Sequence, residues 1–113
     1  MEPDCVFCKI ASGALSAPKF HEDEWCVAFP DIEPKAPTHV LIVPKEHRAS
    51  TAEIDAASEP LVGHLVAVAA ALARERGLNH GYRLVLNTGA DAGQTVPHLH
   101  LHLLGGRPLG DMG

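Results

Sequence analysis

Apolar and polar residues alternate with a period of two through His98, Leu99, His100, Leu101, His102 and Leu103. Successive side chains of a strand point to opposite faces, so this run predicts leucines in a core and imidazoles along an open face. The strand is expected over 96–104. Short apolar runs at 25–29 and 39–43 predict two more strands. They are joined by a loop with Pro30, Pro34 and Pro37, which exclude a regular ladder there. A further strand over 82–87 is separated from the histidine run by a glycine-containing loop, 88–95. Between these strands Leu61, Leu65, Val68 and Leu72 recur at helical spacing and define a buried stripe. Ser58 is placed to cap that helix, Pro60 suits its first turn, and Arg74, Arg76 and Gly77 suit its end. A short helix over 5–12 would stop at Gly13. The pattern predicts an α+β fold: a mostly antiparallel sheet, one long helix on a face and a short N-terminal helix, in a single domain spanning 1–113.

Composition narrows the classes. With 113 residues, 46% hydrophobic and 20% charged, the chain suits one compact core. No apolar run reads as long enough to span a bilayer. The start (Met1, Glu2, Pro3, Asp4) lacks the basic-then-apolar layout of a signal peptide, so a cytoplasmic protein with no membrane partner is expected. A formal charge of −5 argues against a nucleic-acid scaffold, while leaving room for a pocket that holds one phosphate. Three cysteines are too few for a disulfide framework. Cys26 lies in an apolar stretch and reads as a small buried hydrophobe. Cys5 and Cys8 form a C-x-x-C pair, which points to metal binding or redox chemistry. Their place at the extreme N-terminus disfavours a thioredoxin-like use, which normally follows a core strand.

Three imidazoles on one strand face are costly to bury without polar partners and reactive near neutral pH, so the row is a candidate site. Just upstream, 87–95 supplies Asn87, Gly93, Gln94 and Thr95. Glycines let backbone N–H groups approach an anion, and Asn87 and Thr95 can donate to phosphate oxygens.

The run from His98 to Leu104 resembles the histidine triad signature, His-φ-His-φ-His-φ-φ with φ apolar. The resemblance extends through 4–7 (DCVF), 28–29 (AF), 31–32 (DI), 36–39 (APTH), 43–47 (VPKEH), 81–83 (GYR), Asn87 and 104–107 (LGGR). It is strongest to the histidine triad nucleotide-binding (Hint-like) proteins, homodimers that hydrolyse nucleoside phosphoramidates. The resemblance implies that His100 attacks the α-phosphorus of an AMP-type purine nucleotide and forms a nucleotidyl-histidine. His98 would orient His100 through its carbonyl, with His39 as a supporting partner. His102, Asn87, Thr95 and the backbone around Gly93 would hold the phosphate, with Gln94 beside them. Val6, Phe7, Ile10, Phe29 and Ile32 would surround the base, and Asp31 would meet the ribose. Relatives with a structural zinc imply a Zn²⁺ site at Cys5, Cys8, His47 and His98, since two thiolates need two further ligands. His21, His64 and His80 read as surface or helix residues. The chain departs from Hint-like tails in lacking a tryptophan after Arg107, so substrate preference does not carry over with the motif. Dinucleoside polyphosphate hydrolysis, nucleotidyl transfer or phosphorolysis, and non-catalytic nucleotide or zinc binding remain the alternatives.

Overall fold

The computed structural model describes residues 5–113. The start at Met1 and the Asp4 of the first matching segment lie outside them. The elements are α1 (Val6–Ser12), β1 (His21–Glu22), β2 (Cys26–Pro30), β3 (Thr38–Pro44), α2 (Glu59–Glu75), β4 (Tyr82–Val85) and β5 (Leu101–Gly105). The five strands form one antiparallel sheet in the order β1-β2-β3-β5-β4. The α+β expectation is met, with one long helix and one short N-terminal helix.

The sheet is covered on both faces. On one, Leu65, Val68, Ala69, Leu72 and Ala73 of α2 pack on Ala28, Val40, Ile42, Leu99, Leu101 and Leu103. On the other, Phe7, Cys8, Ile10 and Ala11 of α1 pack on Val27, Phe29, Leu41 and Val43. β2 and β3 are therefore apolar on both sides, which is why they read as unbroken apolar runs rather than alternating ones. The imidazole row faces the α1 layer, so the expected open face is instead a covered one. His98 is 0% and His100 8% exposed.

Further expectations are revised. Regular pairing begins only at Leu101, not at residue 96. Pro97 carries no amide hydrogen, and Leu99 N–H donates to the Arg48 carbonyl (2.6 Å) rather than to a sheet partner. The leucine and imidazole faces nevertheless persist through this irregular stretch. The strand over 82–87 stops at Val85, and the two-residue β1, too short to show a period, was not expected. Ser58 precedes α2 but does not cap it; its hydroxyl donates to Asp55 Oδ1 (2.7 Å) in a capping box one turn earlier. Leu61 is half-buried rather than core, and the buried stripe gains Ala69 and Ala73. Residues 56–75, with mean hydropathy 1.5, are long and apolar enough to cross a membrane by length and composition, contrary to the reading above. Here that helix serves as an amphipathic cover for the sheet.

α1 needs its flanking residues. The Cys5 thiol caps it by accepting from Cys8 N–H (3.3 Å). Gly13 closes it with φ +84, a left-handed conformation that suits glycine, donating to the Ile10 carbonyl. That short helix brings Val6, Phe7 and Ile10 over the histidine face.

Candidate active site

β5 and the segment before it, β3 and α1 converge on the imidazoles. His100 Nδ1 lies 2.6 Å from the His98 carbonyl and must donate to it. In the neutral ring this leaves the Nε2 lone pair free, and His100 lines a cleft of about 630 Å³. Phe7 packs edge-on against His100 at 5.1 Å between ring centres and against Phe29 at 5.5 Å. His100 is thus buried by an aromatic neighbour yet opens on a cavity.

Beside it runs a directed chain of hydrogen bonds. Lys35 backbone N–H donates to His39 Nδ1 (3.0 Å), and a backbone amide can only donate. His39 therefore carries its proton on Nε2, which donates to His102 Nδ1 (2.9 Å). His102 in turn has its proton on Nε2, a buried atom with no hydrogen-bond partner among the described residues. Burial pushes both rings below the usual imidazole range, and the neighbouring His100 and His39 help bring His102 to about 4. Near neutral pH His102 is a neutral donor without an acceptor. A buried orphan donor on the wall of a cleft marks where a ligand oxygen belongs.

The remaining walls contain every apolar residue expected around a base: Val6, Phe7, Ile10, Phe29 and Ile32. Ile32 stands at the rim, 95% exposed. Asp31 is there too, its Oδ1 accepting from Glu33 N–H (2.8 Å) and its Oδ2 lying 3.5 Å from His39 Nε2. Pro30 and Leu41 of the strands also line the cleft, and the loop residues 15–18, Glu33, Lys35 and Val96 complete the lining, none of them expected. In the loops no periodic signal points inward.

The glycine loop is less uniform than expected. Thr95 lines the cleft, whereas Asn87 is half-buried and Gly93 exposed outside its lining. Gln94 is committed to the backbone: its amide donates to the Ala49 (2.7 Å) and Val96 (3.0 Å) carbonyls and accepts from Gly89 N–H (3.0 Å). It braces the loop. A larger hollow of about 840 Å³, lined by 77–83 and 106–109, contains none of these residues.

Under α1, Cys5, Cys8, His47 and His98 form a second constellation. His98 Nε2–H donates to the Pro44 carbonyl (2.9 Å), which turns its Nδ1 lone pair inward. That nitrogen lies 3.2 Å from Cys5 Sγ, 3.4 Å from Cys8 Sγ and 3.1 Å from His47 Nδ1; Cys8 Sγ to His47 Nδ1 is 3.2 Å. A tetrahedral ion with ordinary Zn–N and Zn–S lengths needs nitrogen–nitrogen and nitrogen–sulfur edges of about 3.3–3.6 Å, so these separations stand within a few tenths of an ångström of a metal polyhedron. The residues fit a metal ion.

Comparison with known proteins agrees with this geometry. Residues 13–109 match the HIT domain family. The chain is 41% identical over 113 residues to the purine nucleoside phosphoramidase of Escherichia coli (strain K12), covering 99% of this chain and 95% of that protein. A HIT family hydrolase from Legionella pneumophila Philadelphia 1 superposes with TM-score 0.93 at 45% identity, over 95% of this chain and 96% of its own. A Zn-bound histidine triad family protein from Mycobacterium smegmatis superposes with TM-score 0.81 at 36% identity, over 96% of this chain and 78% of its own. With signature, fold and family match in agreement, the chain belongs to the HIT family, as its likeness to the Hint-like branch implied.

Proposed function

We propose that this protein hydrolyses purine nucleoside phosphoramidates, with His100 as nucleophile. The observation that carries the reading is the His100 Nδ1–H bond to the His98 carbonyl, which leaves Nε2 as a lone pair on the cleft. The purine preference rests on the 41% identical phosphoramidase. In the first half-reaction Nε2 attacks the α-phosphorus, the N–P bond to the ring forms, and the P–N bond to the amine breaks. A water molecule entering the cleft gives the departing amine the proton that it needs and is left as hydroxide. In the second, the hydroxide left from that water adds to phosphorus, the ring–phosphorus bond breaks, and the nucleotide leaves with His100 neutral again. Two easier displacements replace one hard one.

His102 Nε2–H donates to a phosphate oxygen and strengthens that bond as charge develops, with Thr95 alongside. Asn87 and the backbone near Gly93 extend the phosphate cradle at its edge, and Gln94 braces the loop that carries them. Val6, Phe7, Ile10, Phe29 and Ile32 take the base, and Asp31 the ribose. His98 and His39 act as positioning residues.

Zinc is the ion we assign to Cys5, Cys8, His47 and His98, supported by the donor set and the Zn-bound relative. Its contribution would be structural: it would join α1 to the segment that carries His98 and so to His100. We further infer one HIT domain working as a cytoplasmic homodimer. Among the described residues β4 is an edge strand with an unpaired side, where a second copy can extend the sheet.

Separate incubation with adenosine 5′-phosphoramidate and with diadenosine polyphosphate, followed by phosphorus NMR, tests the reading. Preferential release of AMP from the phosphoramidate is expected. Faster cleavage of the polyphosphate would assign the chain to another branch, and binding without turnover would make it a regulator.

A further inference from the structure

Another set of donors converges on the opposite face of the sheet. In the β1–β2 ladder His21 stands opposite Ala28, a member of the α2-side core, so its ring points toward α2. There Asp23 Oδ2 lies 2.7 Å from His21 Nε2 and 2.6 Å from His64 Nε2 of α2. Cys26 Sγ is 3.7 Å from the same oxygen, and the four donor atoms all lie within 4.8 Å of one another.

We propose that His21, Asp23 and His64 form a second site for a divalent transition metal of the zinc class, separate from the cysteine-containing cluster. Two imidazoles and one carboxylate suit zinc, cobalt or nickel and serve magnesium or calcium poorly. The carboxylate is oriented in advance. Its Oδ1 accepts from Trp25 N–H (2.8 Å) and Cys26 N–H (2.9 Å), so only Oδ2 faces the two rings. The Trp25 ring packs edge-on against His64, 5.0 Å between centres, and fixes that imidazole. The three side chains are 35%, 27% and 33% exposed, so an ion can enter from solvent. Cys26 is fully buried, its thiol spent on Asp23 Oδ2, and we leave it out of the ligand set, the remaining coordination positions going to water.

Without an ion, the imidazoles donate to Oδ2 and form a hydrogen-bonded clasp. With one, each Nε2 ligates as a lone pair while the neutral ring keeps its proton on Nδ1, and the donors separate from about 2.7 Å to roughly 3.3 Å or more, the tetrahedral edge that metal–nitrogen and metal–oxygen bonds of about 2.0–2.2 Å require. The ion would then bridge β1, the turn after it and α2, which a helix residue 41 positions beyond Asp23 makes possible.

Titration of the metal-free full chain with Co²⁺ and with Zn²⁺, in excess Mg²⁺, tests the proposal. The wild-type protein is expected to take two equivalents. The Cys5→Ser/Cys8→Ser variant keeps one and loses the thiolate-to-cobalt charge-transfer band. The His21→Gln/His64→Gln variant keeps that band and loses the second equivalent. Asp23→Asn retains the shape of the turn and should bind the second ion at least about tenfold more weakly. In nitrogen-correlated NMR the Nε2 resonances of His21 and His64 shift with the second equivalent. A single equivalent in the wild type, or a second that survives in His21→Gln/His64→Gln, would overturn the proposal and leave a hydrogen-bonded clasp.

Discussion

The carbonyl oxygen of His98 lies 2.6 Å from Nδ1 of His100, so one residue both heads the metal-capable cluster and aims the ring that opens on the cleft. Its backbone orients His100, while its side chain spans from the Pro44 carbonyl to Cys5, Cys8 and His47. Disturbing the cluster should therefore reach the reaction without touching substrate.

Chelation, or Cys8→Ser, tests that connection. Loss of the ion should lower the melting temperature by about 10 °C or more, as expected for a few kcal/mol in a domain of this size. It should also reduce kcat more than it raises KM, because the ring is misaimed rather than the pocket lost. Differential scanning calorimetry and initial rates on the same samples provide the check. An unchanged melting temperature would remove the structural role of the cluster.

The directed chain from Lys35 through His39 to His102 makes a second prediction. His102→Ala removes the donor to phosphate and should lower kcat about 10²–10³-fold. His39→Ala should cost roughly tenfold, because His102 then loses the partner that fixes its tautomer. The double variant should be no slower than His102→Ala alone, since both changes act through one donor. Additive losses in the double variant would mean that His39 acts independently.

Much of this was legible in the sequence because strong physical signals coincide with chemistry there. The leucines of 99–103 mark a core face, which sends the intervening imidazoles to the other side whatever their pairing. Cys5 and Cys8 point to metal binding or redox chemistry by spacing, although the partners at His47 and His98, tens of residues away, came only through family likeness. Other features left no local signal. The second covering layer follows from the apolar runs of β2 and β3, which need burial on both faces, yet a seven-residue helix is a weak periodic pattern. Gln94 and Ser58 carry the right chemistry at the right place, but competing backbone and side-chain partners take their hydrogen bonds. Asp23 looks like an ordinary turn residue until α2 delivers His64 beside it.

Acid should unfold the protein in a defined window. His102 is held near 4 by burial and by its imidazole neighbours, and burial also lowers His39. Both titrate near 6.5 when unfolded. Below about that pH the unfolded chain binds more protons than the native one, so stability is full above it and declines as pH falls toward 4. His102 alone should contribute on the order of 1–3 kcal/mol to the loss, after allowance for water at the ring edge. Urea melts at a series of pH values give the slope. His102→Asn should flatten it, and an unaltered slope would place the acid sensitivity elsewhere.

The core makes an independent demand. Ile42 and Leu103 are fully buried between β3, β5 and α2. Leu103→Ala should cost about 2–5 kcal/mol through lost transfer energy and a residual cavity. Denaturant midpoints at constant slope would record it. A loss below about 1 kcal/mol would mean that the site collapses around the smaller side chain.

The most direct test of the central claim is to trap the covalent intermediate. Adenosine 5′-phosphoramidate labelled in the α-phosphorus is mixed with enzyme, quenched within the first turnover and digested for mass spectrometry. The account predicts an AMP adduct on the peptide containing His100, absent in His100→Ala, with turnover in that variant reduced by about 10⁴-fold or more. Wild-type-like turnover in His100→Ala, or label carried on another residue, would contradict it.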